Sequence, residues 1–243
     1  MKIALVTGAN RGIGLATARR LARDGAHVVV ASRDAAAGRE AAAALVDEGL
    51  SASSVAMDVT DPRQVRAAAT LVAEQHGHLD VLVNNAGVLP EASADPAEAV
   101  DVELFRTTFD TNVLGPVGVT EAFLPLLRRS PAGRIVNVTT RMGSLADQLD
   151  PASPYYAMVL PAYQSSKAAL NSVTVALSKA LADTPIKVTS VCPGFVQTDL
   201  TPANRDQAPL TPQDAAEVIH RAATLPDSAP SGTFVDAAGT VPW

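Results

Sequence analysis

The amino-acid sequence predicts an α/β fold, a single domain whose central parallel sheet of about seven strands carries helices on both faces. The first observation is a set of short β-rich runs that read as continuous apolar runs rather than as alternating ones, which is typical of strands buried on both faces of a sheet. These runs are residues 3–6, 27–31, 53–57, 81–83, 134–138 and 187–191, with a shorter one at 233–235. The second is that helical patterns separate the runs, and such alternation favours a doubly wound parallel sheet.

Three of the intervening segments have helix signals at their ends. A helix over 12–24 follows the first strand directly. The next, over 34–48, is rich in alanine and stops at Gly49, a residue suited to the position just after a helix. Another is expected to begin with Asp61 as N-cap and Pro62 at its first position, where proline is tolerated. Its apolar face has the spacing i, i+3, i+4, i+7 at Val65, Ala68, Ala69 and Val72.

Composition and charge exclude several classes of protein. Of the 243 residues, 47% are hydrophobic and 18% are charged, which is ordinary for a globular chain and not for a disordered one. The net charge of −6 and the pI near 5.2 argue against a nucleic-acid partner and against an anionic membrane surface. No apolar stretch has the length of a membrane span or of a signal segment. Because Cys192 is the single cysteine, we expect a reducing, cytoplasmic location.

The loop after the first strand has the composition of a phosphate-binding turn. It reads Thr7-Gly8-Ala9-Asn10-Arg11-Gly12-Ile13-Gly14 and opens the first helix. Its three glycines permit a tight turn and let backbone N–H groups approach a pyrophosphate at the helix N-terminus. The spacing Gly-x-x-x-Gly-x-Gly differs from the commoner Gly-x-Gly-x-x-Gly, so an ordinary turn is the alternative. The position after the first strand favours a dinucleotide.

Two arginines indicate which dinucleotide is bound. At the end of the second strand a carboxylate would accept hydrogen bonds from the ribose of NAD, whereas an arginine favours the 2′-phosphate of NADP. The chain has Ser32 where the acid is expected, then Arg33, and Arg11 of the glycine loop is placed to reach the same phosphate. Asp34 tempers this interpretation, although it equally suits the N-cap of the next helix. We predict NADPH, the alternative being two solvated surface arginines.

Tyr163 and Lys167 form a Tyr-x-x-x-Lys pair whose side chains project from one face of a helix. An ammonium beside a phenol favours the phenolate and is expected to lower the pKa of the phenol. That arrangement suits proton transfer near neutral pH. Taken alone, such a pair is more often a partly buried tyrosine and an exposed lysine.

Together these segments resemble the short-chain dehydrogenases/reductases, in the family's order and over about the whole chain. The resemblance rests on residues 7–14, Asp58-Val59, Asn84-Asn85-Ala86-Gly87, Asn112, 136–140, Tyr163-x-x-x-Lys167 and Pro193-Gly194-x-Val196-x-Thr198. It implies a Rossmann fold, NADPH/NADP+ as cofactor and a small-molecule carbonyl substrate, and we expect no bound metal. The implied cofactor contacts are Gly8, Asn10, Arg11, Gly12, Ile13, Gly14, Arg33, Asp58, Val59, Asn85, Ala86, Gly87, Tyr163, Lys167, Pro193, Gly194, Val196 and Thr198.

By the same resemblance, four residues carry the chemistry. Tyr163 would be the general acid that protonates a carbonyl oxygen, and Lys167 would lower the pKa of Tyr163 and bind the nicotinamide ribose. Asn112 would hold a water that continues the proton path from Lys167. The fourth is a hydroxyl that binds and orients the substrate oxygen, which falls to Thr140.

Thr140 departs from the family, which usually has serine at this position. Threonine keeps the hydroxyl donor but adds a β-methyl group and restricts χ1. Ser144 is the second choice for the hydroxyl. For the adjacent Arg141 the sequence allows a gate to the pocket, a contact with an acidic group, or simple exposure to solvent, and we expect the last.

A longer segment than is common in the family lies before Tyr163, over about 145–160. Such an insertion resembles the carbonyl reductase-like group, with its menthone and salutaridine reductases, and favours a monomer over a homo-oligomer. Tyr155, Tyr156 and Met158 are candidates for an apolar pocket wall, or else pack the insertion onto the body. The proline-rich stretch over about 194–212 is expected to be an irregular loop, and it completes the substrate side.

These features favour an NADPH-dependent reductase that transfers hydride to the carbonyl of aldehydes or ketones, reversibly. One alternative is an NAD-linked alcohol dehydrogenase, which the missing acid at Ser32 disfavours. Another is a nucleotide-binding sensor or regulatory protein on the same fold with little turnover. The retained Tyr163, Lys167 and Asn112 argue against the sensor, whereas Thr140 leaves it open.

Overall fold

A parallel sheet forms the centre of the molecule in a computed structural model that describes residues 1–93 and 100–243. Within these residues it has seven strands in the order β3-β2-β1-β4-β5-β6-β7, all parallel. The strands are β1 (Ile3–Thr7), β2 (His27–Ser32), β3 (Ala52–Ala56), β4 (Val81–Asn84), β5 (Arg134–Val138), β6 (Lys187–Val191) and β7 (Thr233–Val235). The predicted fold class is confirmed, and each predicted strand lies within one residue of the observed bounds.

Helices cover both faces of the sheet, as predicted. The described residues contain α1 (Gly12–Arg23), α2 (Ala35–Asp47), α3 (Pro62–His76), α4 (Val102–Phe109), α5 (Gly115–Leu127), α6 (Leu145–Leu149), α7 (Pro161–Ala180), α8 (Pro202–Gln207) and α9 (Pro212–Ala223). Apolar side chains of α1, α2 and α9 form the core on one face, and those of α3, α5 and the end of α7 form the core on the other. None of the helices described here has the length and apolar character needed to cross a membrane.

The predicted helix ends follow from local side-chain chemistry. Asp34 accepts hydrogen bonds from the N–H groups of Ala36 and Ala37, at 2.9 and 3.1 Å, and so caps α2. Asp61 caps α3 in the same way, with a proline in the first turn. Gly49 follows α2 in the left-handed region, with φ of 78°, where a glycine meets no steric penalty.

A chain of buried polar side chains ties the middle of the sheet to α7. Nδ2 of Asn84 donates to Oδ1 of Asn137 at 2.9 Å, and Nδ2 of Asn137 donates to Oγ1 of Thr174 at 2.8 Å. Ser190 donates to the same Thr174 hydroxyl at 2.9 Å. Because unpaired polar groups are unfavourable in a core, this network holds α7 in one register against β4, β5 and β6. The order of the strands reverses between β1 and β4, which places a crevice at the carboxyl ends of the strands, next to α7.

Candidate active site

A cavity of about 1500 Å³ opens at the carboxyl ends of the strands. All the predicted cofactor contacts line it, together with Thr140; among the predicted site residues only Asn112 does not. The cavity therefore brings together segments that lie up to about 190 residues apart in the sequence. Its size suits a dinucleotide with a small molecule beside it.

The glycine loop forms the floor of the cavity because side chains would not fit there. Gly8 has φ of 63°, which favours glycine. A Cβ atom added to Gly14 would lie 2.4 Å from the Gly8 carbonyl oxygen and 2.6 Å from Nδ2 of Asn85. The loop thus packs backbone to backbone against the segment after β4.

The N-terminus of α1 carries no side-chain cap. Arg11 occupies the N-cap position without a side-chain hydrogen bond to the helix, whereas α2 and α3 are capped by aspartates. The first turn of α1 contains no acidic residue. Free N–H groups at a helix N-terminus favour an anion, and the glycine loop leaves room for one beside them. These features fit the pyrophosphate of a dinucleotide.

The end of β2 presents an arginine to the cavity. Arg33 is exposed, lines the cavity and makes no hydrogen bond or ion pair with a described residue. Ser32 is buried beside Gly38, outside the cavity lining, so Arg33 is the residue of this pair that a ligand meets.

Arg11 lies across the mouth of the cavity from the 194–212 loop. Its Nη1 donates to Oδ2 of Asp199 at 3.0 Å, and Arg205 binds the other oxygen of the same carboxylate. The contact of Arg11 with the phosphate at Arg33 stays a prediction. The arginine links the glycine loop to the opposite wall.

The segment after β4 is held against β1 by Thr7. The hydroxyl of Thr7 accepts hydrogen bonds from the N–H groups of Asn85 and Ala86, both at 2.9 Å. Nδ2 of Asn85 returns a bond to the Thr7 carbonyl at 2.8 Å. Asp58, one of the predicted cofactor contacts, accepts hydrogen bonds from the N–H and hydroxyl of Thr60 with its Oδ1. These local bonds shape the cavity wall before any ligand enters.

Tyr163 and Lys167 project from α7 into the cavity and are 7% and 5% exposed. Nζ of Lys167 lies 5.7 Å from the centroid of the Tyr163 ring and donates to the Val138 carbonyl at 2.9 Å. Burial lowers the pKa of Lys167 to about 8. The expected lowering of the Tyr163 pKa is not found, because burial of the phenol raises its pKa. In this arrangement the tyrosine is protonated at neutral pH, as a proton donor must be, but its raised pKa makes it a weaker acid than a phenol in water.

Asn112 lies behind the cavity wall, in a π-helical turn between α4 and α5. Its Nδ2 donates to the Val88 carbonyl at 3.0 Å and to the Ser166 hydroxyl at 3.2 Å. Its Oδ1 accepts from the Val88 N–H at 2.9 Å. Both N–H groups of the side-chain amide are therefore used within the protein, and the water-holding role of Asn112 stays a prediction.

Thr140 follows β5 and lines the cavity. Its hydroxyl oxygen accepts from the Met142 N–H at 3.2 Å, which leaves the hydroxyl proton free to donate. Ser144 does not line the cavity: it is fully buried and accepts the Asp147 N–H at 3.1 Å as the cap of α6. The geometry therefore favours Thr140 over Ser144 as the hydroxyl donor.

Arg141 was expected to be simply exposed to solvent, but it is held by acidic side chains. Its side chain is 33% exposed and binds both oxygens of Asp147, at 2.7 and 2.8 Å. Asp236 lies 3.6 Å away on its other side, and the Tyr155 ring centroid is 5.7 Å from the guanidinium. Arg141 thus joins the turn after Thr140 to α6 and to the segment after β7.

The inserted segment contributes part of the wall that was expected of it. Tyr155 and Met158 line the cavity, whereas Tyr156 is 51% exposed and lies outside the lining. The 194–212 loop also lines the cavity, but it is not irregular throughout. It contains α8 and is braced by Nδ2 of Asn204, which donates to the Val196 carbonyl at 2.8 Å.

Glu91 is a site residue that sequence reasoning missed. Its carboxylate accepts hydrogen bonds from the backbone N–H groups of Ala162 and Tyr163. Ala162 and Tyr163 lie 71 and 72 residues after Glu91 in the sequence, and no local pattern links them to it. The sequence signal for Glu91 is its nearness in the chain to residues 84–87, and nearness alone does not predict a capping role.

Comparison with known proteins agrees with this geometry. The sequence profile of the short chain dehydrogenase family matches residues 2–209. Short-chain dehydrogenase anuI of Penicillium roqueforti (strain FM164) is 36% identical over 228 residues, covering 91% of this chain and 88% of that protein. A (+)-neomenthol dehydrogenase of Arabidopsis thaliana is 34% identical over 286 residues, covering 96% and 95%. The structure of an NADPH-bound carbonyl reductase from chicken fatty liver superposes with a TM-score of 0.84 at 26% identity, covering 100% of this chain and 98% of that one. The chain belongs to the short-chain dehydrogenase/reductase family of oxidoreductases, in its carbonyl reductase-like subgroup.

Proposed function

We propose that this protein is an NADPH-dependent reductase that transfers hydride to the carbonyl of aldehydes or ketones, and that runs the reverse oxidation of alcohols. The observation that carries the proposal is the meeting of Thr140, Tyr163 and Lys167 in the cavity that the glycine loop and Arg33 also line. The similarity to an NADPH-bound carbonyl reductase supports it.

The residues of the cavity fit the cofactor from end to end. The glycine loop and the free N–H groups of α1 would hold the pyrophosphate, and Asp58 the adenine. The 193–198 segment and Lys167 would hold the nicotinamide and its ribose. Bound there, a reduced nicotinamide supplies the hydride.

The protein's own groups would supply orientation and the proton. The Thr140 hydroxyl, whose oxygen is fixed by the Met142 N–H, would donate to the substrate oxygen. Tyr163, whose phenol is protonated at neutral pH and lies in the cavity, would give that oxygen its proton. Lys167, anchored on the Val138 carbonyl, would return a proton to the tyrosine, and Asn112 would hold a water behind it.

We propose that the insertion and the 194–212 loop form the substrate side of a single domain. Apolar side chains of these two segments in the cavity lining include Tyr155, Met158, Phe195 and Leu200, and Met142, just before the insertion, also lines the cavity. The insertion also lies along the N-terminal part of α7, where Leu145 and Gln148 share a small groove with Gln164 and Ala168. A monomer and a cytoplasmic location remain our predictions.

Oxidation of NADPH and NADH with a panel of aldehydes and ketones tests the proposed function. We expect carbonyl-dependent oxidation of NADPH, faster for apolar ketones than for small polar aldehydes. Tight NADPH binding without turnover on any member of the panel would overturn the proposal.

Arg33→Ala is expected to weaken NADPH binding about 10- to 100-fold and to leave NADH binding nearly unchanged, since a charge-assisted bond to the 2′-phosphate would be lost. Kd values for both cofactors, from fluorescence titration, check this. The control is Arg39→Ala, which removes an exposed arginine of α2 that does not line the cavity. An equal loss for both cofactors in Arg33→Ala would contradict the 2′-phosphate contact.

A further inference from the structure

The N-terminus of α7, which carries Tyr163, is capped from another part of the chain. Leu160, at the N-cap position, makes no side-chain bond, and Pro161 has no N–H to satisfy. Glu91 fills the gap: Oε1 accepts from the Ala162 N–H at 2.9 Å, and Oε2 accepts from the Tyr163 N–H at 2.7 Å. Each oxygen of the half-buried carboxylate thus serves one of the free donors of the first helical turn.

Glu91 ends a segment that is fixed along its length. Asn85 and Ala86, at its start, are bonded to the Thr7 hydroxyl of β1. In its middle, Val88 exchanges two hydrogen bonds with Asn112. Residues 85–89 of this segment line the cavity, and 85–87 are among the predicted cofactor contacts. The segment therefore spans the distance from β1 to the first turn of α7.

We propose that Glu91 is a positioning residue for Tyr163, fixing the catalytic helix relative to the cavity wall that holds the cofactor. The assignment rests on the proposed function for the role of Tyr163, and on the two hydrogen bonds for the position. A carboxylate is favoured at the positive end of a helix, and its two oxygens set both the distance and the rotation of the first turn. One of the two bonds is to the N–H of Tyr163 itself.

The arrangement differs from an ordinary local cap. Asp101 caps α4 with a single oxygen that accepts the N–H groups of Glu103 and Leu104, two and three residues away. That cap stabilises its own helix only. Glu91 instead joins two segments that both contribute residues to the cavity lining, so its loss lets one of them move relative to the other. Small displacements of a reacting group reduce rates strongly.

The test compares Glu91→Ala, Glu91→Gln and Asp101→Ala with the wild-type chain, using the fastest carbonyl substrate of the panel. We expect kcat to fall about 10- to 100-fold in Glu91→Ala, with the Kd for NADPH within threefold of wild type. Glu91→Gln keeps one acceptor oxygen, and we expect its kcat to lie between that of the wild type and that of Glu91→Ala. Asp101→Ala, which removes a capping carboxylate from a helix that contributes no residue to the cavity lining, should keep wild-type kcat.

Amide hydrogen exchange at Ala162 and Tyr163 provides a readout that does not depend on turnover. We expect protection at both amides to be lost in Glu91→Ala, and to be kept in Asp101→Ala. A kcat within twofold of wild type for Glu91→Ala, while Tyr163→Phe is inactive, would overturn the inference and leave the proposed function standing. If the wild-type chain reduces no carbonyl, the proposed function fails by itself. If amide exchange at Ala162 and Tyr163 in Glu91→Ala equals that of the wild type, the positioning role is overturned as well. Should Glu91→Ala fail to fold, Glu91→Gln carries the same comparison.

Discussion

Tyr163→Phe is expected to lower kcat/KM for carbonyl reduction about 10²- to 10⁴-fold, the contribution typical of a general acid. The substitution removes only the phenolic oxygen and keeps the ring, which is buried in the wall of the cavity. We therefore expect folding and NADPH affinity to be retained. Steady-state kinetics with the best substrate, and fluorescence titration with NADPH, measure the two effects separately.

Tyr156→Phe is the matched control for this result. It removes a phenolic oxygen from the same region of the chain, but its side chain is 51% exposed and lies outside the cavity lining. We expect its kinetics to equal those of the wild type. Turnover by Tyr163→Phe at the wild-type rate would reject Tyr163 as the acid, and a matching loss in both variants would indicate a general disturbance of the insertion.

The fold was predictable because its signals are local. Strands buried on both faces need continuous apolar runs, and parallel strands need helices between them, so the alternation can be read from neighbouring residues. The caps at Asp34 and Asp61 were predictable for the same reason, since each aspartate bonds N–H groups two or three residues ahead. The helical turn α8 inside the 194–212 loop was not predicted, because prolines there indicated only a break.

Residues of local motifs come together on one cavity, whereas side-chain environments that depend on distant partners could not be predicted from the sequence. The glycine loop and the Tyr163/Lys167 pair lie on the cavity as expected. Arg141 was expected in solvent, but the fold brings Asp147 and Asp236 to it. The direction in which the pKa of Tyr163 shifts depends on how deeply the phenol is buried, and burial is set by the tertiary structure. The capping role of Glu91 has no sequence signal of its own chemistry, because its partners lie more than 70 residues away.

Gly143→Ala is expected to destabilise the protein and to reduce its activity together. Gly143 lies in the turn after Thr140, where the backbone of α7 comes into direct contact with it. A Cβ atom there would lie 2.7 Å from the carbonyl carbon of Lys167, 2.8 Å from its Cβ and 2.9 Å from the Ala168 nitrogen. These are backbone or near-backbone atoms, so no rotamer change relieves the clash. We expect unfolding free energy to fall by about 1–3 kcal/mol, as for other overpacked sites.

The same clash separates the groups that the proposed reaction needs side by side. To accept the methyl group, the turn that carries Thr140 and the helix that carries Lys167 must move apart, so we expect kcat to drop about 100-fold in Gly143→Ala even well below its melting temperature. Gly118→Ala is the matched control, because a Cβ atom at this glycine of α5 meets no atom within 4 Å. It should raise stability by about 0.4–1 kcal/mol and leave kcat unchanged, since alanine favours a helix more than glycine does. Thermal unfolding and steady-state kinetics of the two variants decide the matter. If Gly143→Ala had the stability and turnover of the wild type, α7 would not approach the turn as closely as the distances from Gly143 to Lys167 and Ala168 indicate.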